Sequence, residues 1–412
     1  MNKKIKLYGS LFIFMMVNFH VNSQSLTSSP YSYFGLGMIE NKGFCETLAT
    51  GSAGIAMPSI RYLNSTNPAS YNGIDSSAFL FYLGLYGKFS EFESQGIKQN
   101  NFESNIRYIA FGFRVSKRWG SSFGLLPFSS RGYYITSTYP AEGDLGEYRL
   151  ISTGSGNLNR FYYANSFALT KQLSIGANVS YLFGSLKNDE AMSYSDASFN
   201  SISIETTDYF RNLFLDFGLQ YKFHIGLNDF YTGLTFNHLQ KLNTNGEKLA
   251  INGSDTIAFK SVTRNNFTLP PSIGIGFGAN CFSKQLKLML DYKFMQWSKS
   301  DFESAKFEDS WQINTGAEFN SKNNRNYLNY INYQVGFRYE KSYLSIKGNR
   351  INEIAFTAGL GLPSKYDRTR INIAYEYAIT GTTSDGLVRE RYHKITLGLV
   401  LADKWFQRQK FN

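Results

Sequence analysis

Cysteine, histidine and proline are scarce in this chain of 412 residues, which holds 2 cysteines, 4 histidines and 8 prolines. Cys45 and Cys281 allow one disulfide in an oxidising compartment or two separate thiols, and neither has metal-ligand spacing around it. His224, His238 and His393 lie far apart, and none falls in a Ser-Asp or Cys pattern that pairs a nucleophile with its base. No phosphate-binding loop and no heptad run is present. The sequence therefore predicts no enzyme, no cofactor, and no catalytic or metal-binding residues. So few prolines leave nearly every backbone N–H free to pair, as a chain made mostly of sheet requires. Charge is also sparse: 18% of residues are Asp, Glu, Lys or Arg, against roughly 25% in an average soluble protein.

The formal net charge is +11. Lys3, Lys4 and Lys6 belong to a removable leader, and the remaining excess is spread without a basic run. That dispersion excludes a nucleic-acid partner and leaves a weak attraction to outer-membrane lipid headgroups. Lys3 to Lys6 precede an apolar stretch, Leu7 to Val17, and the small or modest residues Val21-Asn22-Ser23. This is the pattern of a secretory signal peptide over 1–23. No later stretch is long and apolar enough for a transmembrane helix.

What is abundant is aromatic residues, at 17%, and glycine, at 36 residues. From Ser77 onward, side chains alternate with period two. Phe79, Phe81, Leu83 and Leu85 share one strand face, and Tyr82, Gly84, Tyr86 and Lys88 the other. Leu213, Leu215, Phe217 and Leu219 oppose Asp216, Gly218 and Gln220. Ile273, Ile275 and Phe277 oppose Gly274, Gly276 and Gly278. Such alternation marks strands with one apolar face. About fourteen runs of this kind are separated by gaps that alternate long and short, with 145–153 placed in a long loop. A transmembrane antiparallel β-barrel has this asymmetry and an even strand count. It must also close, because unpaired backbone cannot face lipid. The fold class is thus all-β, a barrel over 77–412 in a Gram-negative outer membrane, with both termini periplasmic. Trp119, Trp297, Trp311 and Trp405 suit interfacial girdles. Asp216, Asp291, Glu318 and Glu376 read as solvated lumen charges balanced by Lys88, Lys222, Lys287 and Lys293. A protein partner could bind the long extracellular loops, notably 187–206 and 242–268.

Residues 24–76 do not alternate. A barrel of this width leaves a lumen, and a turn-rich, weakly charged segment on the same side as the termini can fold inward as a hatch or plug. The other reading is a disordered tail, which would not need Tyr31, Tyr33, Phe34, Leu36, Ile55, Met57 and Ile60. Pro127 lies within the third run, Gly120 to Tyr134, where it removes a ladder hydrogen bond. It marks either a wall locally unpaired or kinked across Phe123, Gly124, Pro127, Phe128 and Arg131, where the family resemblance given below implies a side exit, or a bulge that only shapes the wall.

The NPAS tetrapeptide Asn67-Pro68-Ala69-Ser70, after TGSAGIA at Thr50 to Ala56 and ahead of the first strand, resembles the FadL/TodX family. SPYSYFGLG at Ser29 to Gly37 and KITLGLVLADKWF at Lys394 to Phe406 are similar to a branch found in Bacteroidota-type bacteria. The resemblance implies fourteen strands, an N-terminal hatch gated at Asn67, Pro68, Ala69 and Ser70, and a kinked third strand. It also implies a small hydrophobic ligand of the long-chain fatty acid or aromatic hydrocarbon class, released sideways into the membrane. The alternative is a structural or partner-binding barrel of a secretion or gliding apparatus.

Overall fold

In the computed structural model, residues 29–59, 62–75, 78–140, 147–194, 201–253, 255–282, 284–300, 307–321, 327–364 and 369–404 are described. The leader over 1–23, Ile60 and Trp405 lie outside them. Fourteen antiparallel strands form one closed sheet. They are β1 Ala78–Ser94, β2 Ile97–Ser116, β3 Trp119–Ser130 continued by Tyr133–Pro140, and β4 Glu147–Ala168. Next come β5 Leu173–Tyr194, β6 Ile202–Ile225, β7 Asn228–Asn237 with Gln240–Asn252, and β8 Asp255–Leu269 with Ser272–Cys281. β9 Leu286–Met295, β10 Ser310–Asn320, β11 Asn332–Lys341, β12 Glu353–Pro363, β13 Arg370–Thr380 and β14 Arg389–Lys404 complete the wall. Ala78 pairs with Lys404, so the last strand closes on the first.

The alternation read from the sequence becomes an inside and an outside. Phe217, Ile275, Phe277, Leu290, Tyr375 and Leu397 are all exposed on the outer face. In water that would be a large apolar liability; against hydrocarbon it is the required surface.

The expected long loops are mostly strand. Of the expected 145–153 loop, 145–146 lie outside the described residues and 147–153 extend β4, with Tyr148 to Thr153 pairing with Tyr194 to Asp189 of β5. The 242–268 gap is a hairpin in which Gln240 to Asn252 faces Leu269 to Asp255. The cause is that alternation weakens where both faces meet water, while the backbone ladder continues beyond the membrane. Trp297 is also not in a girdle. It is 2% exposed and stacks on Tyr343 at 4.1 Å inside the hairpin end of the barrel.

Residues 29–59 and 62–75 lie inside the wall. Helix α1, Cys45–Ala49, is buried along its whole length and packs on β11 to β14. A 3-10 turn, Pro68–Gly73, packs on β2 to β6. The core lies between this inner segment and the wall, where Phe44, Leu48, Leu63 and Tyr71 meet Tyr82, Tyr108 and Tyr162. Contact is close because a belt of small residues faces inward. Gly120 is opposite Ser166, Ser166 opposite Gly176, and Gly176 opposite Gly218. Further round, Gly233 is opposite Gly276, which is opposite Asp291; Gly316 is opposite Gly336, which is opposite Thr357. A Cβ on Gly120, Gly176, Gly233 or Gly336 would overlap the backbone of Tyr71, Pro68, Ile55 or Gly51. The members of the belt that carry side chains bond to the inner backbone. Ser166 Oγ donates to Ala69 O at 2.7 Å, and Thr357 Oγ1 donates to Ala49 O at 2.9 Å while accepting from Gly51 N. Asp291 Oδ2 accepts from Gly54 N and Ile55 N at 2.6 and 2.9 Å. Irregular backbone is thereby satisfied without water.

Candidate functional site

Pairing between β2 and β3 stops partway up the wall. It runs from Ser116↔Trp119 to Ile109↔Leu125. Beyond Leu125, β4 is the only strand of the wall that pairs with β3 among the described residues, and the register shifts between Pro127 and Ser129. Two causes are local. Pro127 has no N–H to donate, and the shift leaves Phe128 as the extra residue of a bulge. An open edge would be untenable at membrane depth. The inner segment covers it: Met38 pairs with Ser130 and Ile39 with Ser129, antiparallel. Glu40 N donates to Phe128 O at 3.0 Å and Ser29 N to Gly132 O at 2.9 Å. Gly37 makes the approach possible, with φ at 83° and a Cβ position that would overlap Ser130 O. A two-residue strand from inside thus completes the edge of the wall strand.

The residues singled out from the sequence divide between this seam and the wall below it. Phe123 and Gly124 sit in continuous ladder, and Phe123 stacks on Phe111 at 4.9 Å. Pro127, Phe128 and Arg131 lie on the seam. Phe128 turns into an apolar cluster with Met38, Ile39 and Phe214. Arg131 is buried and donates through Nη2 to Gly35 O at 2.6 Å, holding the inner segment against the edge.

Asn67, Pro68, Ala69 and Ser70 lie lower, at the belt. Asn67 caps the 3-10 turn, its Oδ1 accepting from Ala69 N at 2.9 Å. Its Nδ2 lies within bonding distance of Ile55 O, Leu219 O and Leu234 O, at 2.8, 3.1 and 3.3 Å. Pro68 occupies the first position of the turn, where no N–H is needed, and Ala69 is fully buried. Ser70 Oγ donates to Asn64 O at 2.7 Å, and its backbone carbonyl accepts from Ser59 N. The tetrapeptide is bonded to wall and inner segment at once.

Behind the seam a cavity runs from Ile39 and Phe128 past Lys42 and Asp216 toward Phe214 and Met295. Lys42 Nζ lies 2.9 Å from Asp216 Oδ2. Burial pushes its ammonium down to about 8, and Asp216 offsets only part of that. Two residues earlier in the chain, Glu40 pairs with Arg107 at 3.1 Å and Lys394 at 3.5 Å. Burial alone would raise the Glu40 carboxyl, but Lys394, Arg107 and Lys88 hold it down at about 2. A further buried network joins Lys88 to Glu390 at 2.7 Å, and Arg338 to Glu353 and Glu376 at 2.7 and 2.8 Å. The lumen carboxylates are therefore not solvated. Lys287 meets Glu318 at 2.7 Å, and both the Glu318 and Asp291 side chains are enclosed. The inner segment fills the space that water would take. Glu40, Lys42 and Arg107 were not singled out from the sequence, since nothing local marks a charge whose partner lies hundreds of residues away.

No catalytic grouping emerges among the described contacts. His224 lies against Asp229 and His393 against Tyr375, neither with a serine or cysteine. No cluster of three or more potential metal ligands exists among the described residues.

Solved structures share this architecture. The toluene transporter TbuX of Ralstonia pickettii is 17% identical, covering 88% of this chain and 98% of its own, with a TM-score of 0.59. A FadL homologue from Pseudomonas aeruginosa is 11% identical over 90% of this chain and 100% of its own, with a TM-score of 0.61. The toluene transporter TodX of P. putida is 15% identical, with coverage of 90% and 100% and a TM-score of 0.59. At these identities the likeness is one of fold: that of outer-membrane channels rather than of enzymes. Comparison with curated proteins gives no match. The sequence model of one family, BamG, matches residues 1–412, and the chain belongs to the BamG family.

Proposed function

We propose that the chain is an outer-membrane channel that admits small hydrophobic molecules passively and releases them through the β2–β3 seam. The observation that carries this reading is the seam itself: a wall strand with an open edge, closed by two residues of the inner segment, with a partly apolar cavity behind it. Transfer of apolar area into that cavity, at about 25 cal/mol per Å², is the driving force, and no energy-coupling device is needed. The substrate class is that of long-chain fatty acids or aromatic hydrocarbons, consistent with the toluene transporters and the monoaromatic hydrocarbon channel of like fold. Both termini face the periplasm, the leader over 1–23 is cleaved, and 24–76 serve as hatch. Within that hatch, Asn67 to Ser70 anchor and Gly37 to Lys42 move. SPYSYFGLG and KITLGLVLADKWF support a place in the Bacteroidota-type branch.

The test is a reversible lock. Met38→Cys with Ser130→Cys fixes the inner strand to the wall when oxidised. Uptake of a labelled fatty acid by cells lacking other such channels should fall to background on oxidation and return on reduction. Pro127→Ala should also slow uptake by restoring a wall donor. Uptake indifferent to both changes would sink the seam as an exit.

One observation favours a second reading, a structural or partner-binding barrel. β5 and β6 run 22 and 24 residues, about twice the 9–11 that a membrane crossing needs. Their upper halves form a paired, rigid surface suited to a protein partner. Shortening the 187–206 hairpin would abolish that role and leave uptake intact.

A further inference from the structure

We infer that the turn end of the barrel, where Ala78 and Lys404 lie, carries a binding site for a phosphate-bearing anion. Arg114 comes from the end of β2, Lys117 and Arg118 from the β2–β3 turn, Lys171 from the β4–β5 turn and Lys222 from β6, and together they line one cavity. Pro58, Asn72 and Gly73 of the inner segment form its floor. No carboxylate lines it. Three of the five lie within 114–118, and pairing of β3 through β6 brings Lys171 and Lys222 beside them.

Unpaired surface cations are usually solvated side chains; what sets this group apart is that five of them line one cavity whose lining contains no carboxylate. Of the five, Lys222 lies 3.4 Å from Asp229, a carboxylate that it shares with His224 and Lys284. Arg114 is also built into place. Its Nη1 donates to Ile74 O at 3.1 Å and its Nε to Ser116 O at 3.0 Å, and Nη2 donates to Lys117 O. Carbonyls fix the guanidinium without neutralising it, so its charge is pre-positioned. A fixed guanidinium flanked by mobile ammonium groups suits a compact, multiply charged oxyanion better than a single carboxylate. The ligand would bridge the inner segment to three strand ends.

The experiment uses the full-length protein in neutral detergent. Radiolabelled inorganic phosphate is measured by equilibrium dialysis, with short-chain phosphatidylglycerol and phosphatidylcholine as competitors. Saturable phosphate binding that falls about tenfold or more in Lys117→Gln/Lys171→Gln supports the site, since charge-assisted contacts dominate such binding. Displacement by phosphatidylglycerol but not phosphatidylcholine identifies a lipid headgroup as the source; no displacement by either identifies a free phosphate. Arg118→Gln, at an exposed turn, provides a second variant, and Lys98→Gln at the opposite end should change nothing. Melting transitions establish that each variant is folded. Absence of saturable binding, or binding equal in wild type and both turn variants, would overturn the site. The outcome does not depend on whether the seam transports anything.

Discussion

Asn67 Oδ1 occupies the place where a Cβ on Gly218 would stand. The same amide reaches two wall carbonyls through its nitrogen, so the absence of one methyl group on β6 sets how closely the inner segment approaches. Gly218→Val should displace Asn67 and break its bonds to Leu219 O and Leu234 O. The expected cost is about 1–3 kcal/mol, as for overpacking in a close-packed interior. A lowered urea midpoint, together with faster protease cleavage within 29–75, would register it. Gly87→Ala is the control for cleavage, because its Cβ position meets only ordinary van der Waals contact with Phe102.

Asp291 offers a second measure of the belt. Its Oδ2 is the acceptor for two successive buried N–H groups, Gly54 and Ile55. Asp291→Ala leaves both unsatisfied, at about 1–3 kcal/mol each. Hydrogen exchange at those two amides should accelerate well beyond that of their neighbours.

Two glutamates of the inner segment should give opposite pH slopes. Burial pushes the Glu46 carboxyl up to about 7, and its Oε1 accepts from Asn372 Nδ2 at 3.0 Å. The folded chain then holds a proton that the unfolded chain, near 4.5, has released. Stability from this group is complete below about 4.5 and is lost as pH rises toward 7. The shift corresponds to about 3 kcal/mol. Glu40 is the reverse case: held at about 2, it contributes above 4.5 and loses that contribution as pH falls toward 2. Glu46→Gln should flatten the upper slope of unfolding midpoint against pH, and Glu40→Gln the lower.

Thiol labelling separates the two cysteines. Both are unpaired; Cys45 is fully buried on α1, and Cys281 is partly exposed at the end of β8. Burial, reinforced by Glu46, pushes the Cys45 thiol well up. A maleimide applied to folded protein should modify Cys281 and reach Cys45 only after denaturation; equal rates would mean that α1 is not enclosed.

The wall was legible because its rule is local. Period-two alternation such as Leu213, Leu215 and Phe217 against Asp216 and Gly218 needs only neighbouring residues, and the outer apolar face follows from it. The same rule faltered over 147–153 and 242–268, where water lies on both faces and alternation carries no penalty for being lost. The inner contacts were not legible. Gly176 and Gly218 were visible as glycines on a polar face, yet their opposition to Pro68 and Asn67 depends on closure of the whole sheet. The charge pairs behave alike: Glu40 with Arg107 and Lys394, or Lys88 with Glu390, join residues that no sequence window contains together. Pro127 was an exception, since a missing N–H is a local fact wherever it falls.

The belt also bears on how the molecule is made. Its small residues are shaped to backbone that precedes every strand in the chain, and Ala78 and Lys404 meet only when the first and last strands join. Threading residues 29–75 into a finished cylinder would require breaking and remaking the bonds of Ser166, Asp291 and Thr357 in a confined space. Wrapping strands one after another around a segment that emerged first does not. The N-terminal segment supplies the surface to which the belt is shaped, and a chain lacking it would present a ring of glycines to an unfilled lumen.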